Sequence, residues 1–424
     1  MNIKQTLNSL LKHEYSKHIA TLCTGTFLAQ LISICVYPLL SRLFTPEDYG
    51  LLATLTQITS ILTILSSCKY ETNILIEDKN ETALNLVYFT ILLAFGILLS
   101  IFILTIIIIN LSILPNSTIY DYIYIPFIMS FMIVIYQCYN EWCVRNKKFR
   151  KLSANKIINT MAIAGSESIF GLTKLIGGVG LVIGDMLGRI ISAGSCIISF
   201  YNTDSWKSYK FSFSEILKAG KRNKDCPRFV MPAQLLNVLG GALPILIIGY
   251  YFGQSNVGLF SMANMVIIVP VSVMSLAIRD VFRQKASIQY YIDKQCKKLY
   301  LKNFYILSIL SIIIFTFLTI IIKPIFNIFL GNQWIDAATY AHILMPMIGV
   351  SFVSDALSSM MIVGKKLNYV FYWQLLYFLL TGISLIIGGL LDNIILTLIL
   401  FSLGRIIAYI INLVISYRIA CGYI

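Results

Sequence analysis

Charge is scarce in this sequence. Of 424 residues, 12% are Asp, Glu, Lys or Arg, about half the share of an ordinary soluble domain, whereas 58% are hydrophobic and the mean hydropathy is +0.80. Long hydrophilic stretches are missing as well. The longest runs from about residue 202 to 228, which excludes a separate soluble domain. The cysteines (Cys23, Cys35, Cys68, Cys138, Cys143, Cys196, Cys226, Cys296 and Cys421) stand singly, with no CxxC and no Cys/His cluster. That spacing argues against a metal site and for free thiols in the membrane. The basic start, "MNIKQTLNSLLKHEYSKHIATLC", has no small-residue cleavage site ahead of a helix-length apolar run. It reads as a cytoplasmic lead-in helix rather than a cleaved signal peptide.

What the sequence does have is apolar runs. A helix that crosses a bilayer needs about 20 mostly apolar residues. Twelve runs of that kind are expected: 18–44, 51–76, 82–110, 119–142, 153–176, 178–201, 229–252, 258–282, 299–322, 337–363, 367–390 and 393–417. Turn chemistry separates them, as in "TPEDYG", "VRNKKFRK", "GQSNVG" and "LDN". The expected fold class is therefore all-α and integral to the membrane, in two parallel six-helix lobes around a central cavity, with lobes at 1–208 and 209–424.

Basic residues set the orientation, because Lys and Arg concentrate on the cytoplasmic side of membrane proteins. With both termini and alternate loops placed in the cytoplasm, that side holds 25 of the 33 Lys and Arg. The opposite side holds Arg42, Lys174 and Lys323. The bias predicts an even number of spans with both ends inside.

A repeat runs through the two halves. "LGRII" occurs at 187–191 and again at 403–407, each time inside an apolar run. An arginine near the middle of a bilayer costs several kcal/mol, so its recurrence in the last run of each half is informative. "PLLSRLFTPEDYGLLA" at 38–53 also lies over "LIIGYYFGQSNVGLFS" at 246–261. Phe44 aligns with Phe252 and Gly50-Leu51 with Gly258-Leu259, an offset of 208. Two halves of equal topology are parallel repeats, related by an axis along the membrane normal.

Three segments carry a family resemblance. Residues 37–86 contain "YPLLSRLFTPEDYG" and the exit Tyr70-Glu71-Thr72-Asn73-Ile74-Leu75. Residues 226–287 place Pro232, Pro244, Gly258, Pro270 and Phe282 along two runs, and residues 177–191 read "GGVGLVIGDMLGRII". Together they resemble the oligosaccharide flippases of the multidrug/oligosaccharidyl-lipid/polysaccharide exporter superfamily, the O-antigen and capsule-unit translocases. This chain departs from the family pattern at Asn264, where a basic residue is frequent, and at Arg279-Asp280-Val281-Phe282. The resemblance implies a carrier that breaks no bond. Its cargo is an oligosaccharide on polyprenyl pyrophosphate, and its other partners are membrane lipids and the polymerase and chain-length proteins of the pathway. It also implies a monomer in the inner membrane, with no cofactor beyond H⁺ or Na⁺ as coupling ion and no nucleic acid.

Such cargo needs cations for the pyrophosphate. Arginine suits that role because its planar fork binds two oxygens and stays protonated. Arg189 and Arg405 are the first candidates, with Arg279 and Lys69 at the ends of runs as further substrate contacts. Arg189 follows Asp185 by four residues, so a purely structural ion pair is equally readable there. The coupling or gating candidates are Asp185, Glu167, Lys174, Asp355, Glu71 and Asp280. Glu167 and Lys174 are two turns apart. Lys69 with Glu71 and Arg279 with Asp280 could form a cytoplasmic gate. Glu141 and Arg145, four apart, suggest an interfacial pair. His342 suggests a core histidine, and Gly177, Gly178, Gly180, Gly184 and Gly188 allow close packing or bending of the sixth run. Two rivals stay open. A multidrug exporter needs no basic cavity. A glycan polymerase or ligase tends to carry a large outer loop, and no loop here on that side exceeds about 14 residues.

Overall fold

In hydrocarbon every backbone N–H and C=O has to be satisfied within the chain, so apolar runs of this length have to be helices. The computed structural model describes residues 24–111, 118–202 and 212–423, and the side chains at 118, 119, 269, 270, 272–274, 276, 277, 280 and 367 are not described. Its order is α1 (Thr24–Leu43), α2 (Pro46–Ser67), α3 (Asn80–Asn110), α4 (Tyr124–Arg145), α5 (Phe149–Thr173), α6 (Gly180–Tyr201), α7 (Phe213–Arg222), α8 (Met231–Asp293), α9 (Lys297–Ile325), α10 (Ile335–Leu357), the one-turn α11 (Met360–Val363), α12 (Leu367–Leu390) and α13 (Ile394–Ala420). No strand occurs among the described residues. The lead-in helix expected over the first residues lies outside them.

The helices are inside-out by soluble standards. On α3, Leu92, Phe95, Leu99 and Ile103 are exposed at three- and four-residue spacing, while Ala83, Leu84, Leu86, Val87, Ala94 and Leu98 are buried. An apolar stripe left outward on a helix of 31 residues faces lipid. Hydroxyls within the helices bond back to their own turns, as Thr59 does to the Leu55 carbonyl and Thr90 to that of Leu86, both at 2.7 Å.

Among the described residues ten helical stretches are long and apolar enough to cross a membrane, so the protein is a multi-pass membrane protein. Twelve were expected, and two differences account for the gap. The fifth run is helical as α5, but Asn155, Lys156, Asn159 and Glu167 leave it too polar to count. The seventh and eighth runs lie on α8, which is broken at Gly253, where φ is +81°. Glycine alone takes that conformation without strain, so the helix can change direction there.

The chain divides into two compact units. The first contains the described residues up to Phe44 and Leu55–Leu235, and the second contains Thr45–Thr54 and Leu236–Ile424. The lobe boundary expected at 208/209 falls among residues outside the described ones, and the chain passes to the second unit only at Leu236. The cause is α7. Its Ile216, Ala219 and Gly220 are buried, and Gly220 packs against the Phe89 ring of α3. Asn223 accepts a hydrogen bond from the Asn73 amide at 2.7 Å and donates to Glu77 at 2.6 Å, which fixes the linker to the first unit.

The second expectation of the sequence, the 208-residue offset, is visible within the second unit. A Cβ at Gly50 would land on the Gln254 carbonyl, and a Cβ at Gly258 would land on the Pro46 carbonyl. Pro46 and Gln254 are themselves 208 apart, so the contact is reciprocal between repeat-equivalent positions. Thr54 Oγ1 donates to Gln254 Oε1 at 2.9 Å beside it.

Candidate functional site

In the first unit the site is built on a helical hairpin. Gly184 packs on the Glu167 backbone and Gly188 on that of Ile163, with no room for a Cβ at either. The glycines four apart let α6 lie against α5 at backbone distance. That approach brings buried Glu167 beside Asp185 and Arg189. Arg189 Nε donates to Asp185 Oδ2 at 3.0 Å, the i,i+4 pair that the spacing suggested. Asp185 is buried and Arg189 is partly open. Glu167 lies within electrostatic reach of both, and of Tyr37 on α1, and receives no hydrogen bond from the described residues. The cluster thus sets two carboxyl groups against one guanidinium. Lys174 does not join it. The α-helix ends at Thr173, and Lys174 is its exposed left-handed cap at φ +50°, so the two-turn spacing no longer sets its direction.

In the second unit Arg405 is the twelfth residue of α13, and Arg189 is the tenth of α6, so both stand near mid-helix. Arg405 is 9% exposed. Its guanidinium lies over two rings, 4.8 Å from the centroid of Tyr377 and 4.5 Å from that of Phe401. Nη2 donates to the Gly240 carbonyl at 3.1 Å, and Nε lies 3.5 Å from Thr381 Oγ1. The Gly240 carbonyl has a particular need. Its intrahelical donor is the N–H of residue 244, and residue 244 is proline, which has none. Arg405 supplies the missing donor. It forms no ion pair with any described residue. The nearest opposing charge it senses is Asp355 of α10, the exposed residue in an otherwise buried stretch from Phe352 to Leu357. Arg279 acts on the same carboxylate. Arg405 and Arg279 thus both act on the one carboxyl group of Asp355. The side chain of Asp280 is outside the described ones.

The remaining candidates lie where α2 leads into α3. Cys68 and Lys69 are left-handed at φ +47° and +60°, and Lys69 Nζ meets Glu71 Oε1 at 3.1 Å. Glu71 is buried, and its Oε2 has no partner among the described residues. Glu141 senses the charges of Glu71 and Lys69. It does not pair with Arg145 as the spacing suggested. Arg145 instead donates to the carbonyls of Ile74, Leu75 and Glu77 and to Asn80 Oδ1, closing the end of the 3₁₀ segment Tyr70–Leu75. Several bare carbonyls at a helix end outcompete one carboxylate on the arginine's own helix. His342 sits between the carbonyls of Ala338 and Thr319 at 2.7 and 3.0 Å, which makes it a packing residue between α9 and α10.

The rings around Arg405 and the Gly240 carbonyl were not foreseen from the sequence. Phe401 and Tyr409, four residues to either side, were the available signal. Among the described residues no group of His, Cys, Asp and Glu could hold a metal ion.

Residues 39–339 match the family described as polysaccharide biosynthesis protein. No curated protein sequence matches the chain. Solved structures share its fold, among them the following three. One is described as the lipid II flippase MurJ in an inward closed conformation, with a TM-score of 0.69 and 14% identity, covering 94% of this chain and 89% of that one. Another is an inward-facing multidrug resistance transporter of the MATE family and MOP superfamily, at 0.70 and 15%, covering 95% and 98%. A third is a transporter of that superfamily from Pyrococcus furiosus, at 0.60 and 16%, covering 95% and 96%.

Proposed function

The chain belongs to the polysaccharide biosynthesis protein family, and we propose that it is a flippase for lipid-linked glycan. Its cargo is an oligosaccharide repeat unit on polyprenyl pyrophosphate, carried across the cytoplasmic membrane by alternating access for surface polysaccharide such as O-antigen or capsule. The carrying observation is Arg405, a buried mid-helix guanidinium with no ion-pair partner among the described residues and an uncommitted Nη1. Intramembrane charge of that kind marks a transport pathway. An arginine fork binds phosphate oxygens through its N–H groups, and Nη1 is the one left for them. The two guanidiniums that act on Asp355 support anionic cargo. The second carboxyl group beside Asp185 and Arg189, that of Glu167, supports a proton or Na⁺ site in the first unit, with Arg189 as a second phosphate contact when Asp185 is neutralised. Both termini are cytoplasmic in this reading.

The fold is shared with multidrug transporters and does not choose between cargoes; Arg405 favours the anionic one. In cells that make a surface polymer, loss of the protein should leave undecaprenyl-linked units on the inner leaflet and cut polymer output. Normal polymer with no such build-up would sink the reading, and so would restored output from a multidrug exporter of the same fold.

A further inference from the structure

The first unit contains a pocket that the transport reading does not use. It is a cavity of about 220 Å³ between α3, α4 and α6, walled by Tyr88, Ile135, Tyr139, Trp142, Phe200 and Tyr201. The wall is braced. Phe200 meets Tyr139 and Trp142 edge-on at 6.4 and 6.1 Å, and Tyr139 donates to Ser199 at 2.7 Å. At its mouth Tyr201 is exposed, as is Ile197 one turn along α6. These are surfaces that a spanning helix presents to lipid.

One group in the wall is out of keeping with an apolar pocket. Trp142 is 2% exposed, and its indole N–H has no acceptor among the described residues. A buried donor left unpaired costs about 1–3 kcal/mol, so an acceptor belongs there. Water needs two to four polar partners, and the tyrosine hydroxyls of this wall are already engaged, Tyr139 with Ser199 and Tyr88 with Tyr201. A sugar would bring far more polar groups than one N–H can satisfy. The depth narrows the choice. Trp142 is three residues from the end of α4, about 4.5 Å along the axis. That level is the edge of the hydrocarbon core, where the ester carbonyls of glycerolipids lie. A polyisoprenyl tail is pure hydrocarbon and offers no acceptor there.

We propose that this pocket holds one acyl chain of a membrane glycerophospholipid, whose ester carbonyl accepts the Trp142 N–H. The cavity is below the size of a pocket for a whole drug-sized ligand, so it takes a length of chain while the headgroup stays outside. The bound lipid would be a fixed part of the first unit, filling the groove at one leaflet.

The full chain in phosphatidylglycerol nanodiscs, doped with a diester phospholipid bearing an acyl-chain diazirine, tests this on irradiation. Adducts should concentrate on the peptides containing 135–142 and 196–201. Trp142→Phe keeps the ring wall and removes the donor, and should lower labelling there roughly 3- to 10-fold. A diether probe, which lacks the carbonyl, should label the wild type no better than the diester labels Trp142→Phe. Ile135→Trp fills the cavity and should abolish site labelling even if Trp142→Phe fails to fold. Equal labelling of wild type and Trp142→Phe overturns the proposal, as does equal labelling by diester and diether. Preferential labelling by a diazirine polyprenyl phosphate also overturns it, since the occupant is then the isoprenoid chain.

Discussion

Arg405 does two things at once, and they can be separated. One is structural: its Nη2 donates to the Gly240 carbonyl that Pro244 leaves without a helical donor. The other, in the proposed function, is to bring positive charge to a phosphate. Arg405→Met removes both. The orphaned carbonyl costs about 1–3 kcal/mol, and two lost cation–π contacts cost about 0.5–2 kcal/mol each. Against this, the variant no longer buries a charge, which returns several kcal/mol. The net change in stability is therefore small and of either sign. Arg405→Gln is the cleaner probe. Its amide can still donate to Gly240, but it carries no charge. It is expected to fold with an unfolding midpoint near that of the wild type and to lose transport. One charge-assisted contact is worth about 1.5–3 kcal/mol, or roughly 10- to 150-fold in affinity. Pro244→Ala restores the helical N–H, so in a double-mutant cycle it should rescue the stability of Arg405→Met by about 1–3 kcal/mol, without rescuing transport. The assays are thermal unfolding in detergent and polymer output in cells. If Arg405→Gln transports like wild type, the arginine is only a substitute donor for the proline, and the phosphate reading of Arg405 is wrong.

Further expectations follow from other contacts. Gly258→Ala forces its Cβ against the Pro46 carbonyl and should destabilise by about 1–3 kcal/mol, whereas Gly241→Ala, where a Cβ meets nothing, should change the unfolding midpoint little. Asn223→Ala breaks the bonds to Asn73 and Glu77, so hydrogen exchange over 213–222 should quicken roughly tenfold or more while the spans keep their protection. Burial pushes the Cys296 thiol up to about 11, from an ordinary value of 9.0. Its thiolate fraction at neutral pH is thus about 100-fold below that of an unshifted thiol, and maleimide labelling should stay slow until the pH climbs toward that value. Reporter fusions at Gln254, Asn332 and Asn393 should read outside and those at Lys148 and Lys365 inside; an inside reading at Asn332 would break the proposed orientation.

Some of this was readable from residue order because it depends on neighbours along one helix. The apolar runs gave the helices, and the four-residue step from Asp185 to Arg189 gave their ion pair at 3.0 Å. Where the pairing was set by tertiary register, the spacing misled. Arg145 ignored Glu141 for carbonyls some 70 residues earlier in the chain. Lys174 fell past the end of α5, so its phase relative to Glu167 meant nothing. The membership of α7 turned on Asn223 and Asn73, 150 residues apart, which no local pattern records. The need of the Gly240 carbonyl was written in the sequence as Pro244 four residues on. The donor that meets it lies 165 residues away and requires the packing of α8 on α13 to be known.

The recurrence of "LGRII" now has a divided explanation. The glycine does the same work in both copies. Gly188 sets α6 against the α5 backbone at Ile163, and Gly404 sets α13 against Leu380 and Ser384 of α12. In each half the last helix is thereby held on the one before it. The arginine that follows does different work in each. Arg189 is held by an acid on its own helix, within a cluster that keeps an extra carboxylate. Arg405 has no acid on its helix and is held by a proline-freed carbonyl and two rings. Shared ancestry of the halves explains the common packing and the common depth of the charge. It does not explain the different partners around the two arginines, because inheritance alone would have left them alike. The guanidinium without an acid on its own helix is the one open to an anion, and the transport proposal stands on it.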